Sequence, residues 1–108
     1  MKIANLFRNT EAPRDGERLE TILAHKNLVI ERIVSSASVP PIEYVQAQDE
    51  WVAMIRGHAT LEVAGETIFL ESGDYLFLPS GIPHTVRRVS EGALWLTVHL
   101  HPQAPPAV

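Results

Sequence analysis

The chain contains no cysteine, which excludes a disulfide scaffold, a zinc–thiolate site and a cysteine nucleophile. Any metal ion would therefore have to be held by nitrogen and oxygen atoms. Positive charge is also scarce, because nine lysines and arginines stand against thirteen aspartates and glutamates, a formal net charge of −4. This balance argues against a protein that binds nucleic acid or an acidic membrane surface, since either partner requires a basic face.

Long apolar runs are missing too. No stretch approaches the roughly 18–20 apolar residues that a membrane-spanning helix needs, and the N-terminus has no apolar signal core. The chain also lacks a phosphate-binding glycine loop and the strand–elbow–helix context of a serine hydrolase. We therefore expect a cytoplasmic protein, with no membrane and no nucleic acid as partner.

The length and composition indicate one domain with a real core. The chain has 108 residues, of which 45% are hydrophobic. We divide it into a leader with a short helix over residues 1–26, a β-barrel over residues 27–101 and a flexible tail over residues 102–108. The helix is predicted because Leu19, Ile22 and Leu23 have the i, i+3, i+4 spacing of one helical face.

From residue 27 the pattern changes to short β-branched runs separated by turn residues. The pair Ala64-Gly65 has the form of a two-residue hairpin turn, and further turns are indicated around Gly73 and Gly92. About eight short strands with turn signals every 8–12 residues are typical of sandwiches and barrels. The sequence therefore predicts an all-β fold, a small barrel or double-sheet jelly roll.

The sharpest local pattern runs from Gly73 to His84. A glycine turn leads into a strand, the Pro79-x-Gly81 turn reverses it, and His84 then begins the next strand. This segment resembles the second motif of the cupin superfamily, G(x)5PxG(x)2H(x)3N, with Arg88 in place of the final asparagine. The turn fixes the direction in which the His84 imidazole points.

The first cupin motif, HxH(x)3–4E(x)6G, is matched in its second half by Glu50 and Gly57. Tyr44 and Gln46 occupy the positions of its two histidines. The resemblance covers about residues 28–101 and implies a small single-domain cupin of the conserved-barrel type, with an altered first motif. It also implies a double-stranded β-helix, the jelly-roll barrel of that superfamily.

In cupins the two motif histidines, the glutamate and the later histidine bind one divalent metal ion. The resemblance therefore implies Gln46, Glu50 and His84 as metal ligands, with Tyr44 at the position of the first histidine. Such an oxygen-rich set suits iron, manganese or nickel at least as well as zinc. His99 supplies a further ligand if the polar face of the last strand is luminal; if the leucine face is luminal, His99 lies outside.

Strand alternation extends the predicted site into a substrate pocket. Side chains two residues apart share a face, so Val52 and Met54 lie on the face of Glu50, and Arg88 lies on the face of His84. Val52 and Met54 are expected to form an apolar wall. Arg88 is expected to anchor a substrate carboxylate or to neutralise Glu50.

Three functions stay open at this point. The first is a metal-dependent oxygenase, isomerase or lyase that acts on a small molecule, with Glu50 or Tyr44 as the catalytic proton-transfer group when not bound to metal. The second is a metal-free module that binds or senses a small molecule without catalysis. The third is a structural oligomer with an occluded lumen. A homodimer is expected in each case, because a barrel of this size has a limited core.

Overall fold

The computed structural model describes residues 1–103 and contains nine β-strands in two antiparallel sheets. Residues 1–103 include no helix, and thus none long and apolar enough to cross a membrane. The predicted all-β fold is confirmed. The strands are β1 Glu17–His25, β2 Leu28–Ser35, β3 Glu43–Tyr44, β4 Asp49–Arg56, β5 Ala59–Val63, β6 Glu66–Leu70, β7 Tyr75–Leu78, β8 His84–Val89 and β9 Ala93–Leu100.

The two sheets face each other as the layers of a jelly roll. The larger sheet has the strand order β1-β2-β9-β4-β7, and the smaller has the order β3-β8-β5-β6. Apart from β1 to β2 and β5 to β6, consecutive strands lie in different sheets, so the chain passes from one sheet to the other six times. This alternation brings strands that are distant in sequence together around one interior.

The expected N-terminal helix is wrong, because residues 17–25 form the edge strand β1. β1 pairs with β2 over its whole length, from Glu17 opposite Ser35 to His25 opposite Leu28. The register shifts between Thr21 and Leu23, which marks a β-bulge.

The bulge explains why the spacing resembled a helix. Leu19 pairs with Ile33 on the inner face, whereas Leu23 pairs with Ile30 on the outer face. One extra residue in a strand moves every following side chain to the opposite face. The apolar residues that suggested one helical stripe therefore belong to two faces of a bulged strand.

One end of the interior is filled by a continuous apolar core. Met54 is completely buried there, and Trp95 packs in the same cluster. The Trp95 indole Nε1 donates a hydrogen bond to Ser35 Oγ at 2.9 Å, so its polar atom is satisfied as well. The buried members of this core are Val52, Met54, Ala59, Leu61, Val63, Leu70, Leu78, Val89, Ala93 and Trp95.

The segment before β1 is held against the larger sheet by one arginine. The Arg32 guanidinium donates hydrogen bonds to the carbonyl oxygens of Leu6 and Arg8 and pairs with Glu20 at 2.6 Å. The predicted loose leader is thus tethered through its backbone. Residues 104–108 of the predicted flexible tail lie outside the described residues.

Two glycines provide a test of the packed end. Gly57 has φ +104°, and a Cβ there would lie 2.7 Å from Ser90 Oγ and 3.0 Å from Ala93 Cα. Gly73 has φ +92° but open space around it. We expect Gly57→Ala to lower the free energy of unfolding by about 2–5 kcal/mol, from backbone strain plus overpacking. Gly73→Ala should cost only the strain, about 1–2 kcal/mol. Denaturant unfolding measures both, and equal losses would contradict the steric argument.

Candidate functional site

A cavity of about 190 Å³ opens between the two sheets, beside the apolar core. At about 30 Å³ per molecule of liquid water, this volume corresponds to roughly six waters. Apolar atoms contribute most of the wall area, and the polar lining residues come from both sheets. These polar residues are Glu17, Glu31, Tyr44, Gln46, Glu50, His84, Thr97 and His99.

The structure brings together the residues that the two motifs indicated. Tyr44, Gln46, Glu50 and His84 all line the cavity. His99 lines it too, because β9 turns its polar face inward and places His99 directly opposite Glu50 of β4. Of the three residues predicted for the substrate pocket, only Val52 lies on the cavity wall; the other two require correction.

Met54 and Arg88 do not line the cavity. Met54 shares the inner face with Glu50, but it is completely buried in the apolar core. Arg88 is exposed because the pairing of β5 with β8 shifts register at one position: Leu61 pairs with Val86, and Thr60 pairs with Arg88. The extra residue in β8 cancels the alternation that would have placed Arg88 beside His84.

His84 is oriented by the turn that precedes it. Its Nδ1 lies 3.1 Å from the carbonyl oxygen of Ile82, to which it can only donate. In the neutral ring, Nε2 is then an acceptor, and it lies 3.9 Å from Glu50 Oε1 across the cavity. Two backbone amides hold the turn: Ser80 N donates a hydrogen bond to the Asp49 carboxylate Oδ1, and Gly81 N donates one to the backbone carbonyl oxygen of Gln46.

Tyr44 covers His84 at the mouth of the cavity. The two residues are cross-strand partners in β3 and β8, and their ring centroids lie 6.0 Å apart in a stacked arrangement. Tyr44 remains 45% exposed, so its ring lies where the cavity meets solvent. Its position supports a role in ligand contact more than one in holding an enclosed ion.

Glu50 is the most unusual side chain of the site. It is only 8% exposed, and it makes no hydrogen bond within residues 1–103. Burial, together with the negative charges of Glu31 and Glu17, raises the pKa of Glu50 to about 7. At neutral pH this carboxyl group is therefore present in both protonation states.

Glu17 and Glu31 are functional candidates that the sequence reasoning missed. Glu31 stands on the inner face of β2 beside Ile33, so a charged residue within an apolar alternation was an available signal. Glu17 had no such signal, because its strand was predicted as a helix. Its carboxylate accepts a hydrogen bond from Ser35 Oγ at 3.1 Å.

Both ring nitrogens of His99 have partners. Gln48 Nε2 lies 3.2 Å from Nδ1 and can only donate, so the neutral ring carries its proton on Nε2. That Nε2 donates to Glu31 Oε1 at 3.1 Å and lies 3.2 Å from Thr97 Oγ1. Burial lowers the pKa of His99, with the charge of Glu31 opposing the shift. His99 thus holds Glu31 in place and offers no free lone pair to the cavity.

Comparison with known proteins decides the family. The family model for the cupin domain matches residues 30–103, which is most of the chain. This chain is a cupin. The resemblance first indicated by Gly73, Pro79, Gly81 and His84 is therefore confirmed.

Solved structures and a curated relative agree with this assignment. A Ralstonia eutropha protein provisionally named a mannose-6-phosphate isomerase is 34% identical, with a TM-score of 0.83, covering 94% of this chain and 99% of its own. An RmlC-like cupin from Shewanella frigidimarina shares the fold at 16% identity and a TM-score of 0.73, covering 83% of this chain and 80% of its own. An uncharacterized Streptomyces coelicolor protein is 27% identical over 86% of this chain and 88% of its own length.

Cupins commonly bind a metal ion, but the side chains of this cupin do not fit one well. Within residues 1–103, no three histidine, aspartate or glutamate side chains are grouped so that they could hold a metal ion. Only Glu50 and His84 converge on the cavity with a carboxylate and a free ring nitrogen. His99 is committed to Gln48 and Glu31, and the two usual histidines are replaced by Tyr44 and Gln46.

The raised pKa of Glu50 predicts a specific pH dependence of stability. The folded state holds this proton more tightly than the unfolded chain does, because the pKa of the Glu50 carboxyl group in the unfolded chain has its ordinary value of 4.5. Glu50 therefore destabilises the fold progressively as the pH rises from 4.5 through 7. Each pH unit in this window costs about 1.4 kcal/mol, so we expect a total loss of about 3 kcal/mol.

Urea unfolding of the wild type and of Glu50→Gln across this window measures the effect. The amide cannot ionise, so the difference in unfolding free energy between the two proteins isolates Glu50 from His99, whose lowered pKa acts in the opposite direction. Glu66→Gln, at an exposed position of β6, is the matched control and should follow the wild type. A constant difference between wild type and Glu50→Gln would show that the pKa of Glu50 is not raised.

Proposed function

We propose that this cupin binds a small molecule in the cavity through Glu50 and His84, without a resident metal ion. The observation that carries the proposal is the pair of unsatisfied polar atoms facing each other there. Glu50 Oε1 and His84 Nε2 are 3.9 Å apart, too far for a hydrogen bond to each other, and both face the cavity. A ligand group placed at this gap can bond to both.

The same pair is suited to proton transfer. A carboxyl group with a pKa of about 7 can give or take a proton at neutral pH, and His84 Nε2 can accept one. Glu50 is therefore the proposed proton-transfer group, and Tyr44 contributes a hydroxyl at the cavity mouth. The chemistry available to these residues is movement of a proton on the bound molecule, as in an isomerisation or an elimination.

A metal-dependent cupin is the second candidate. Glu50 and His84 stand at two of the four ligand positions of the family and face one cavity, which favours it. The further ligands would be Gln46 and Tyr44, and the ion one of iron, manganese, nickel or zinc. Against it stands the absence, within residues 1–103, of any grouping of three strong ligands.

The name of the Ralstonia eutropha relative does not transfer easily to this cavity. A sugar phosphate carries negative charge, and phosphate sites in proteins are usually built from arginine, lysine or backbone amides. Among residues 1–103, no lysine or arginine lines the cavity. We therefore do not propose a sugar phosphate as the ligand of this cupin.

A homodimer, in the cytoplasm, completes the proposal. A row of apolar side chains crosses the outer face of the larger sheet. Each of its five strands contributes one residue, and each residue is the cross-strand partner of the next one in the row. The row ends at Phe77, which is 58% exposed, and Tyr75 beside it is exposed as well. An apolar stripe that spans a whole sheet needs a cover, and a second copy can supply one by two-fold symmetry. The row consists of Leu23, Ile30, Val98, Trp51 and Phe77.

Binding after chelation tests the proposed function against the metal-dependent alternative. We expect protein purified without a metal-affinity tag to contain far less than one metal ion per chain by elemental analysis. A small-molecule screen by ligand-observed NMR should yield hits whose affinity is unchanged by chelator. Glu50→Gln and His84→Ala should each weaken those hits about tenfold, the worth of one good hydrogen bond, and Glu66→Gln should not. Near-stoichiometric metal that disappears in both site variants would favour the second candidate instead.

Two phenylalanines of similar exposure test the dimer. Phe77→Lys places a charge in the apolar row, and we expect light scattering after size exclusion to show a monomer, because an unpaired charge is costly to bury. Phe69→Lys is the matched control, since Phe69 is 56% exposed but lies on β6 of the smaller sheet. A wild-type monomer, or a dimer that survives Phe77→Lys and dissociates with Phe69→Lys, would contradict the assignment of this face.

A further inference from the structure

We propose that the cavity selects a small organic cation, a compact protonated amine with an apolar body, as its ligand. This inference rests on the proposed function, because it names the class of molecule that the same cavity takes. It follows from three features of the lining: the sign of its charges, the lack, within residues 1–103, of a hydrogen-bond partner for the Glu50 carboxyl group, and the apolar side chains in its wall.

The charged groups of the lining are all of one sign. Glu17, Glu31 and Glu50 place three carboxyl groups around one cavity. No lysine or arginine among residues 1–103 lines it, and the bulge in β8 turns Arg88 outward. The two imidazoles add no compensating charge when neutral. A positive ligand is therefore attracted by the lining and a negative one is repelled, more strongly than at an open surface, because the protein walls lower the local dielectric constant.

The carboxyl groups differ in how far they are already satisfied. Glu31 accepts from His99, and Glu17 accepts from Ser35. Glu50 is more than nine-tenths buried and has no hydrogen-bond partner within residues 1–103, although it points into open space between the sheets. Its oxygen atoms are accessible from the cavity, since no side-chain nitrogen or oxygen atom of residues 1–103 is both fully buried and without a partner. Its lone pairs, together with that of His84 Nε2, therefore suit a ligand that donates several hydrogen bonds.

An ammonium group meets this requirement better than the other common groups. It carries three donors and no acceptor, so it can bond to Glu50 and His84 at once without presenting a lone pair to either. A hydroxyl donates only one hydrogen bond, and a carboxylate donates none. The wall also includes the apolar side chains of Val52, Leu61 and Val86, which suit a short hydrocarbon body.

Three probes of similar shape and different charge test the inference. Butylammonium, 1-butanol and butyrate each carry one polar group on a short alkyl chain. Each is titrated into chelator-treated protein at neutral pH and low ionic strength, and the affinity is read from amide chemical shifts in proton–nitrogen NMR. We expect butylammonium to bind at least about tenfold more tightly than 1-butanol, and butyrate to show no saturable shift.

Variants connect the preference to the lining. Glu50→Gln should reduce the affinity ratio of butylammonium to 1-butanol about tenfold or more while 1-butanol still binds, and Glu66→Gln should leave the ratio unchanged. Glu17→Gln, at the cavity rim, should reduce the ratio by a smaller factor and serves if Glu50→Gln does not fold. The amide spectrum of each variant reports whether it is folded.

The outcomes separate this inference from the proposed function. Binding of 1-butanol or butyrate as tight as that of butylammonium would overturn the charge preference and leave the cavity as a ligand site. A charge preference that persists in both Glu50→Gln and Glu17→Gln would also overturn it, because the cation would then bind elsewhere. No saturable shift with any probe would overturn the inference and the proposed function together.

Discussion

The pairing of β4 with β9 is the constraint on which the site depends. This register sets Glu50 opposite His99, Val52 opposite Thr97 and Met54 opposite Trp95, all facing the interior. A shift of β4 by one residue would turn its three side chains out and bring Trp51 inward, while β9 kept its own facing. The apolar end of the interface, at Met54 and Trp95, opposes such a shift because both residues are buried in the core. Packing at one end thus determines which polar groups occur at the other.

The polar end is arranged so that each group depends on the next. Gln48 fixes the tautomer of His99, His99 donates to Glu31, and the charge of Glu31 acts on Glu50. On the opposite sheet, the carbonyl oxygen of Ile82 fixes the ring of His84. Such supporting contacts hold a side chain within the narrow range of positions that binding requires. The result is one carboxyl group and one ring nitrogen that face the cavity, while the neighbouring Glu31 and His99 are engaged with each other.

The parts of this arrangement that are local in sequence could be predicted from it. The Pro79-x-Gly81 turn and the His84 that follows are specified within a few residues, and His84 lies on the cavity wall. Glu50 followed from its spacing to Gly57. Glu31 could have been found as a charge within an apolar alternation. The family followed from the same short motifs.

Met54 was wrongly expected in the pocket because alternation gives the face of a residue and not its depth in the core, and the other errors came from β-bulges, which depend on two strands at once. The register shift in β1 made a strand resemble a helical stripe and concealed Glu17, and the shift in β8 turned Arg88 away from the cavity. A bulge is decided by how the residues fit the partner strand, and the inserting strand alone carries no clear mark of it. The sequence also left open whether His99 points into the cavity or away from it, because either face of β9 could be turned inward until its neighbouring strands were known.

The bulge near Ile22 also affects the outer edge of the protein. β1 is the last strand of the larger sheet, and its nine residues present a free row of backbone donors and acceptors. A long, regular edge strand can pair with a strand from another chain, and such pairing leads to aggregation. The bulge breaks that regularity midway, and the charged Arg18 and Glu20 flank the first half of the strand. The β-bulge that gives β1 a helix-like spacing therefore also opposes pairing of this edge strand with another chain.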